Sequence, residues 1–257
     1  MNRDLDNQVS QARALIDAAR RVLVLTGAGI STDSGIPDFR GPQGVWTKNP
    51  AAEKLATLQH YTSDTEVRKR VWQNRLGAGS WSAQPNAGHR ALLDLEKRGK
   101  LHALITQNID GLHQKAGSSA DRVIEIHGTV HDVVCLGCGA RAPIETALQR
   151  VRAGEQDPAC RDCGGILKSA VISFGQSLVH EDLLRSERAA QTCDLLLAVG
   201  STLSVYPIAA VVPLAKRAGA SIVILNGGPT EMDELADVVV HGAIGQLLPR
   251  MLDVPHN

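Results

Sequence analysis

The sequence predicts an α/β protein: a parallel sheet covered by helices on both faces, with a second, smaller lobe inserted into it. Three observations lead there. Short β-branched runs recur along the chain as continuous apolar stretches, the pattern of strands buried on both sides. Amphipathic helical segments lie between several of them. Two segments, residues 43–84 and 131–169, break the alternation and read as insertions.

In chain order, a helix over 7–20 gathers Val9, Ala12, Leu15, Ile16 and Ala19 on one face. The first strand is "VLVLT" at 22–26, and it runs into "GAGISTDSGIPDFRG" at 27–41. Segment 43–84 carries all three tryptophans at helix-like spacing and no strand. A helix over 86–98 starts from an Asn86 cap and stops before Gly99. Strands are expected at 101–106 ("LHALIT"), 123–127 ("VIEIH"), 170–174 ("AVISF"), 195–200 ("LLLAVG"), 221–225 ("SIVIL") and 238–241 ("VVVH"). The expected division is a large lobe of residues 1–42, 85–130 and 170–257, a helical module at 43–84 and a cysteine-bearing module at 131–169. A small lobe discontinuous in sequence makes the cleft between lobes the expected ligand site.

A chain of 257 residues with 43% hydrophobic content can bury one substantial core and a smaller appended one, which excludes a disordered or fibrous protein. No apolar stretch is long enough for a membrane span and the N-terminus lacks the apolar region of a secretory signal, so a soluble, cytoplasmic protein is expected. Lys plus Arg equals Asp plus Glu at 27 each, so no net field draws the chain to a membrane or to nucleic acid.

Ligands of open parallel sheets bind beyond the carboxyl ends of the strands. The residues there are small or polar: Gly27-Ala28-Gly29, "QNIDG" from Gln107, His127-Gly128, Phe174-Gly175, Gly200-Ser201-Thr202 and Asn226-Gly227-Gly228. A Gly-x-Gly turn lets backbone approach a phosphate, but Thr32 stands where a dinucleotide fingerprint has its third glycine. The acidic ribose anchor expected about 20 positions later on a second strand is missing as well, which counts against hydride transfer. Four of five cysteines fall as Cys135-x2-Cys138 and Cys160-x2-Cys163. Four thiolates complete a tetrahedral Zn²⁺ shell and leave no open position, so the metal is expected to be structural. A nucleic-acid-binding ribbon would need basic or aromatic surface that "GCGARAPIE" and "RDCGGIL" do not offer. His127 ends an apolar run at the cleft, where an imidazole can act as general base. Asn108 and Asp110 lie on a strand-end loop; the plain alternative for them is a turn capping the next helix.

Taken together, "GAGIS" with "DFRG", "TQNIDGLH", "HG", two CxxC pairs, "FG" and "GSTLSV" resemble the sirtuin family of NAD-dependent protein-lysine deacylases, in the family's order over nearly the whole chain. The resemblance implies a Rossmann-like lobe, a small lobe made of a zinc-binding and a helical module, and NAD+ meeting acyl-lysine protein substrates between them. It implies that Gly27, Ala28, Gly29 and Ser31 cradle the diphosphate side of NAD+, with Asp38, Phe39, Arg40 and Trp46 covering the nicotinamide end. Gln107, Asn108, Ile109 and Asp110 would surround nicotinamide and its ribose, and Gly200, Ser201, Thr202, Asn226, Gly227, Gly228 and Ala243 the adenosine half. His127 would be the base, with Asn108 and Asp110 as its catalytic companions; Cys135, Cys138, Cys160 and Cys163 would hold zinc. The products would be free lysine, nicotinamide and O-acyl-ADP-ribose. Protein mono-ADP-ribosylation at the same site is the alternative activity.

For the substrate side the resemblance implies Val171, Phe174 and Gly175 along a peptide groove. Many sirtuins carry a proline and a glutamate around the "FG" motif, whereas this chain has "KSAVISFGQ", with Ala170 and Gln176 in the neighbourhood. Members that remove acidic acyl groups carry Tyr-x-x-Arg in the helical module, and this chain has Trp72-x-x-Arg75 there. Trp72 and Arg75, three apart on a helix, are expected to converge on one pocket, with Arg75 pairing a succinyl or malonyl carboxylate. The plain alternative is a solvated arginine on a basic helix beside Arg68, Lys69 and Arg70.

Overall fold

The structure is a computed structural model and describes residues 3–39, 41, 44–49, 54–78 and 81–254. Its strands are β1 (Val22–Thr26), β2 (Leu101–Thr106), β3 (Val123–Glu125), β4 (Gly128–Cys135), β5 (Arg141–Pro143), β6 (Leu167–Val171), β7 (Leu195–Val199), β8 (Ser221–Asn226) and β9 (Val238–His241). Six of them form one sheet in the order β3-β2-β1-β7-β8-β9, and every pairing in it is parallel.

The continuous apolar runs are explained by layers. Alternate side chains of β1 enter opposite cores: Val22 and Val24 join Ile16, Leu92, Leu95 and Leu248, while Leu23 and Leu25 join Ala189, Ala190, Val212 and Ala215. A strand buried on both faces has no polar face to display. Helices Arg3–Ala18, Ala87–Lys97 and Ile244–Met251 cover the first face, and His180–Thr192 and Val211–Arg217 the second. The helix Ala87–Lys97 starts on a reciprocal cap, with Asn86 Oδ1 accepting from Gly88 N–H and the Asn86 N–H donated to His89 Nδ1. Gly99 follows its end at φ 72°.

The run "AVISF" is a correction. Ala170 and Val171 finish β6, which pairs antiparallel with β4 in a separate sheet of order β5-β4-β6. An apolar run fixes burial, not strand partner, so the sequence could not choose between the sheets. The expected boundaries at 130/131 and 169/170 therefore cut through β4 and β6.

The small sheet has its own core. Trp72, from helix Thr65–Leu76, packs with Val133, Ile144, Leu148, Val151 and Leu167 and with the cysteines Cys135 and Cys160. Helical and cysteine-bearing insertions thus share one apolar cluster.

Candidate active site

β1 leads on to β2 and β3 on one side of the sheet, and its neighbour β7 leads to β8 and β9 on the other. A crevice opens beyond the carboxyl ends of strands at such a switch point. Here it holds a cavity of about 1780 Å³. Gly27, Ala28, Gly29 and Ser31 line it, as do Gly200, Ser201, Thr202, Asn226, Gly227, Gly228 and Ala243.

The glycines answer first to packing. A Cβ on Gly27 would stand 2.6 Å from Gly200 O, and one on Gly29 2.8 Å from Gly200 Cα. Gly200, at φ 66°, would put a Cβ 2.5 Å from Ile30 N. The turns after β1 and β7 therefore touch backbone to backbone, tied by Gly29 N–H donating to Gly200 O at 2.9 Å. Residues Ala28–Ser34 continue as a 3₁₀ helix that ends at left-handed Gly35. Thr32, where a third glycine was missing, is exposed, and its hydroxyl donates to Gly29 O at 3.0 Å.

Beyond β2, Gln107–Asp110 crosses the cavity floor. Asn108 Nδ2 donates to Gly27 O at 3.1 Å and Ser31 Oγ at 3.2 Å, while Ser31 Oγ donates to Asp110 Oδ2 at 2.7 Å. Asp110 also caps the next helix, its Oδ1 accepting from Leu112 N–H at 2.9 Å. The plain and the functional readings of Asp110 thus describe its two oxygens separately. Gln107 Nε2 reaches Ser201 Oγ at 2.8 Å and ties this loop to the turn after β7.

His127 lines the same cavity with Nδ1 3.0 Å from Gln107 O. A carbonyl oxygen only accepts, so Nδ1 carries the proton and Nε2 the lone pair. Burial lowers the pKa of this imidazole below the usual histidine value, against the opposing pull of the Gln107 carbonyl. The ring is therefore a neutral acceptor at neutral pH. Val130 N–H and His131 Nε2 hold the carbonyls of Ile109 and Asp110, so the segment from 127 to 131 carries the whole loop.

The opposite wall is aromatic. Phe39 and Trp46 lie 4.7 Å apart, and Trp46 and Phe174 5.4 Å, centroid to centroid. Asp38, Val171 and Gly175 line the cavity beside them. Phe174 pairs with the helical insertion through Phe174 N–H to Ala56 O and Leu58 N–H to Phe174 O. Arg40 lies outside the described residues.

Trp72 is a correction: it is 1% exposed inside the small-lobe core and does not wall the cavity. The same helix presents Val71, Asn74 and Arg75 to the cavity instead. Arg75 donates to Ser169 Oγ at 3.3 Å, and burial lowers its pKa. Of its basic neighbours, Arg70 is exposed, Lys69 pairs with Glu66 at 2.7 Å, and Arg68 is largely buried against Asp157 at 2.8 Å. Sequence reasoning missed Lys168, buried at the cavity with Nζ donating to the Ser169 and Val171 carbonyls. Burial, with Arg75 nearby, pulls it down to about 8. A lysine inside an apolar strand run was the available signal. Tyr61, whose hydroxyl donates to Leu167 O at 2.7 Å, also lines this end and was missed. Among the described residues no carboxylate pairs with Arg75 or Lys168.

Away from the cavity, the sulfurs of Cys135, Cys138, Cys160 and Cys163 all lie within 4.8 Å of one another, with Cys135–Cys163 at 3.5 Å and Cys138–Cys160 at 3.8 Å. Tetrahedral Zn²⁺ with Zn–S bonds of about 2.3 Å requires sulfurs about 3.8 Å apart, so the set fits that ion. Backbone N–H groups of Gly137, Cys138 and Gly165 point at the sulfurs, as thiolate charge requires. A Cβ on Gly165 would stand 3.0 Å from Cys135 Sγ and 3.1 Å from Cys163 Sγ, so a larger residue there would press on the sulfurs.

Comparison with known proteins agrees with this geometry. A sequence profile described as the Sir2 family matches residues 27–207. NAD-dependent protein deacetylase 2 of Streptomyces coelicolor is 49% identical over 231 residues, covering 90% of this chain and 96% of that protein. NAD-dependent protein deacetylase 1 of Bradyrhizobium diazoefficiens is 41% identical over 249 residues, covering 95% of each. A solved Sir2 enzyme superposes with a TM-score of 0.88 at 36% identity, over 97% of this chain and 98% of that one. Another, a Sir2 bound to an acetylated peptide, gives 0.84 at 30% identity, over 95% and 97%. With the parallel sheet, the switch-point cavity and the four-cysteine cluster already in place, the chain belongs to the Sir2, or sirtuin, family.

Proposed function

We infer that this protein is an NAD+-dependent protein-lysine deacylase that acts on acyl-lysine side chains and carries one structural Zn²⁺. The observation that carries the reading is His127, a neutral imidazole fixed through Nδ1 at the switch-point cavity, with Asn108 and Asp110 on the loop it holds. The cavity suits a dinucleotide: it crosses the strand ends on both sides of the switch point, and close-packed Gly27, Gly29 and Gly200 keep side chains out of its centre. Bound there, NAD+ supplies an electrophilic ribose carbon for the acyl oxygen and, once nicotinamide has left, the hydroxyl that takes the acyl group.

The chain's own part is placement and proton transfer. His127 Nε2 takes the proton of a ribose hydroxyl, and the bond from Nδ1–H to Gln107 O keeps that tautomer in place. Asn108 Nδ2, Ser31 Oγ and Asp110 Oδ2 form one hydrogen-bonded set that orients polar groups of the nicotinamide half. Ser201 and Asn226 serve the adenosine half. Phe39, Trp46 and Phe174 exclude water from the reacting end. An extended peptide fits beside Val171, Phe174 and Gly175, where backbone pairing reads little sequence.

A second reading concerns the acyl group. Buried cations require anionic partners, and Arg75 and Lys168 face the cavity without one. Acyl chains ending in a carboxylate, succinyl or malonyl, would supply it in addition to acetyl. The balanced charge suits a cytoplasmic enzyme without sequence-specific nucleic-acid binding. The small lobe is taken as residues 43–84 with the cysteine-bearing insertion.

The test uses one lysine peptide in acetylated and succinylated forms, with and without NAD+, followed by peptide mass and nicotinamide release. NAD+-dependent loss of acetyl is expected. Loss of succinyl that disappears in Arg75→Met would place the carboxylate on that arginine. ADP-ribose on added protein, with both peptides intact, would favour mono-ADP-ribosylation instead.

A further inference from the structure

His113 is 1% exposed, on the short helix Leu112–Ala116, and lies outside the chemistry assigned above. A buried imidazole needs hydrogen-bond partners. Its Nε2 stands 3.0 Å from Thr26 Oγ1, at the last residue of β1. Thr26 Oγ1 donates to Thr106 Oγ1 at 2.9 Å, at the last residue of β2, and Thr106 Oγ1 accepts the Asn108 N–H at 3.1 Å. Each hydroxyl has one proton, and Thr26 gives its own to Thr106. Thr26 therefore accepts from His113, and Nε2 is the protonated nitrogen. Three hydrogen bonds thus run from His113 across the ends of two central strands to the backbone of Asn108.

The far end of the relay holds the cavity floor. Asn108 Nδ2 contacts Gly27 O and Ser31 Oγ, and Ser31 Oγ contacts Asp110. Asp110 Oδ1 in turn accepts from Leu112 N–H, one residue before His113, which closes the circuit on the same short helix. The ring of His89, fully buried, packs 4.9 Å from that of His113 and blocks it from turning away.

We propose that His113 is a positioning residue for the Asn108–Asp110 loop, its Nε2–H acting through the hydroxyls of Thr26 and Thr106 to fix the Asn108 backbone over the cavity. The inference rests on the deacylase reading for its kinetic test only. Its second test, amide exchange, needs no activity.

Three variants separate positioning from bulk stability. His113→Phe keeps the ring and loses the donor, His113→Gln restores an N–H near Nε2, and Thr26→Val removes the middle hydroxyl at constant shape. Exchange of a peptide spanning 107–111, followed by mass spectrometry, should quicken about tenfold in His113→Phe and at least about threefold in Thr26→Val, the scale of one lost hydrogen bond. In acetyl-peptide turnover kcat should fall by about tenfold with KM changed less than about twofold, and His113→Gln should recover most of it. The double variant His113→Phe/Thr26→Val should be no worse than His113→Phe, because both changes break one relay. Unchanged exchange and kcat in folded Thr26→Val, or losses that multiply in the double variant, would overturn the proposal. Should His113→Phe fail to fold, Thr26→Val and His113→Gln decide it alone. A wild-type protein inactive on acylated peptides would remove the deacylase reading and leave the exchange result to judge the relay.

Discussion

At the residue scale, the protonation state of His127, the proposed base, should set when the site works. Its pKa is depressed, chiefly by burial, so the free base persists to more acid pH than an exposed histidine would allow. The acid limb of kcat/KM should therefore bend below pH 6.5, the ordinary histidine value; a midpoint at or above 6.5 in a pH profile would contradict it. His127→Ala should cut acyl removal by at least about 100-fold, the usual worth of a general base, while calorimetry still detects NAD+ binding. The buried pair His89 and His113 also acts on the pH dependence of stability. Burial holds them down at about 4 and about 3. The unfolded chain then binds more protons than the folded one between those values and about 6.5, so stability is full above 6.5 and falls as pH drops through that window. Urea midpoints measured from pH 7.5 to 4.5 should decline, and Thr26→Val should leave the decline in place.

At the scale of elements, function is written into turns after strands. Gly200 admits no side chain, since its φ of 66° and its contact with Ile30 N both exclude one. Gly200→Ala should cost about 2 kcal/mol or more by urea unfolding and weaken NAD+ binding, because relieving the clash separates β1 from β7 at the cavity. Wild-type stability and binding in that variant would show the approach to be adjustable. The strand-end residues were legible because small and polar types at the ends of buried runs have no packing use. The strand "AVISF" was assigned to the wrong sheet, since apolarity does not name a partner. Trp72 was misplaced for a related reason. Residues three apart on a helix share a broad face, but here that face straddles the edge between core and cavity, and only Arg75 falls on the cavity side. Lys168 and Tyr61 escaped because they reach the cavity only through tertiary packing.

On the scale of the whole molecule, one strand joins the metal to the chemistry. β4 starts at Gly128, directly after the proposed base His127, and ends at Cys135 of the four-cysteine cluster, while its partner β6 carries Lys168, Ser169 and Val171 along the cavity wall. Cys135 and Cys160 are also members of the small apolar core that Trp72 bridges to the helical insertion. Such a core is too small to hold its shape without the cross-link, because metal binding supplies much of the folding free energy of small four-cysteine modules. The parallel sheet has two large cores of its own and should hold without the metal. Chelation, or Cys135→Ser, should therefore release about one zinc per chain, speed amide exchange across 128–171 and abolish acyl-peptide turnover, yet leave exchange in β1, β7 and β8 protected. The protein should fail in two steps on heating, with the metal-dependent step first. A zinc-free protein with full turnover and an unaltered β4–β6 exchange pattern would mean that the small lobe stands without its metal, and that the wall of the acyl site is held by the large lobe instead.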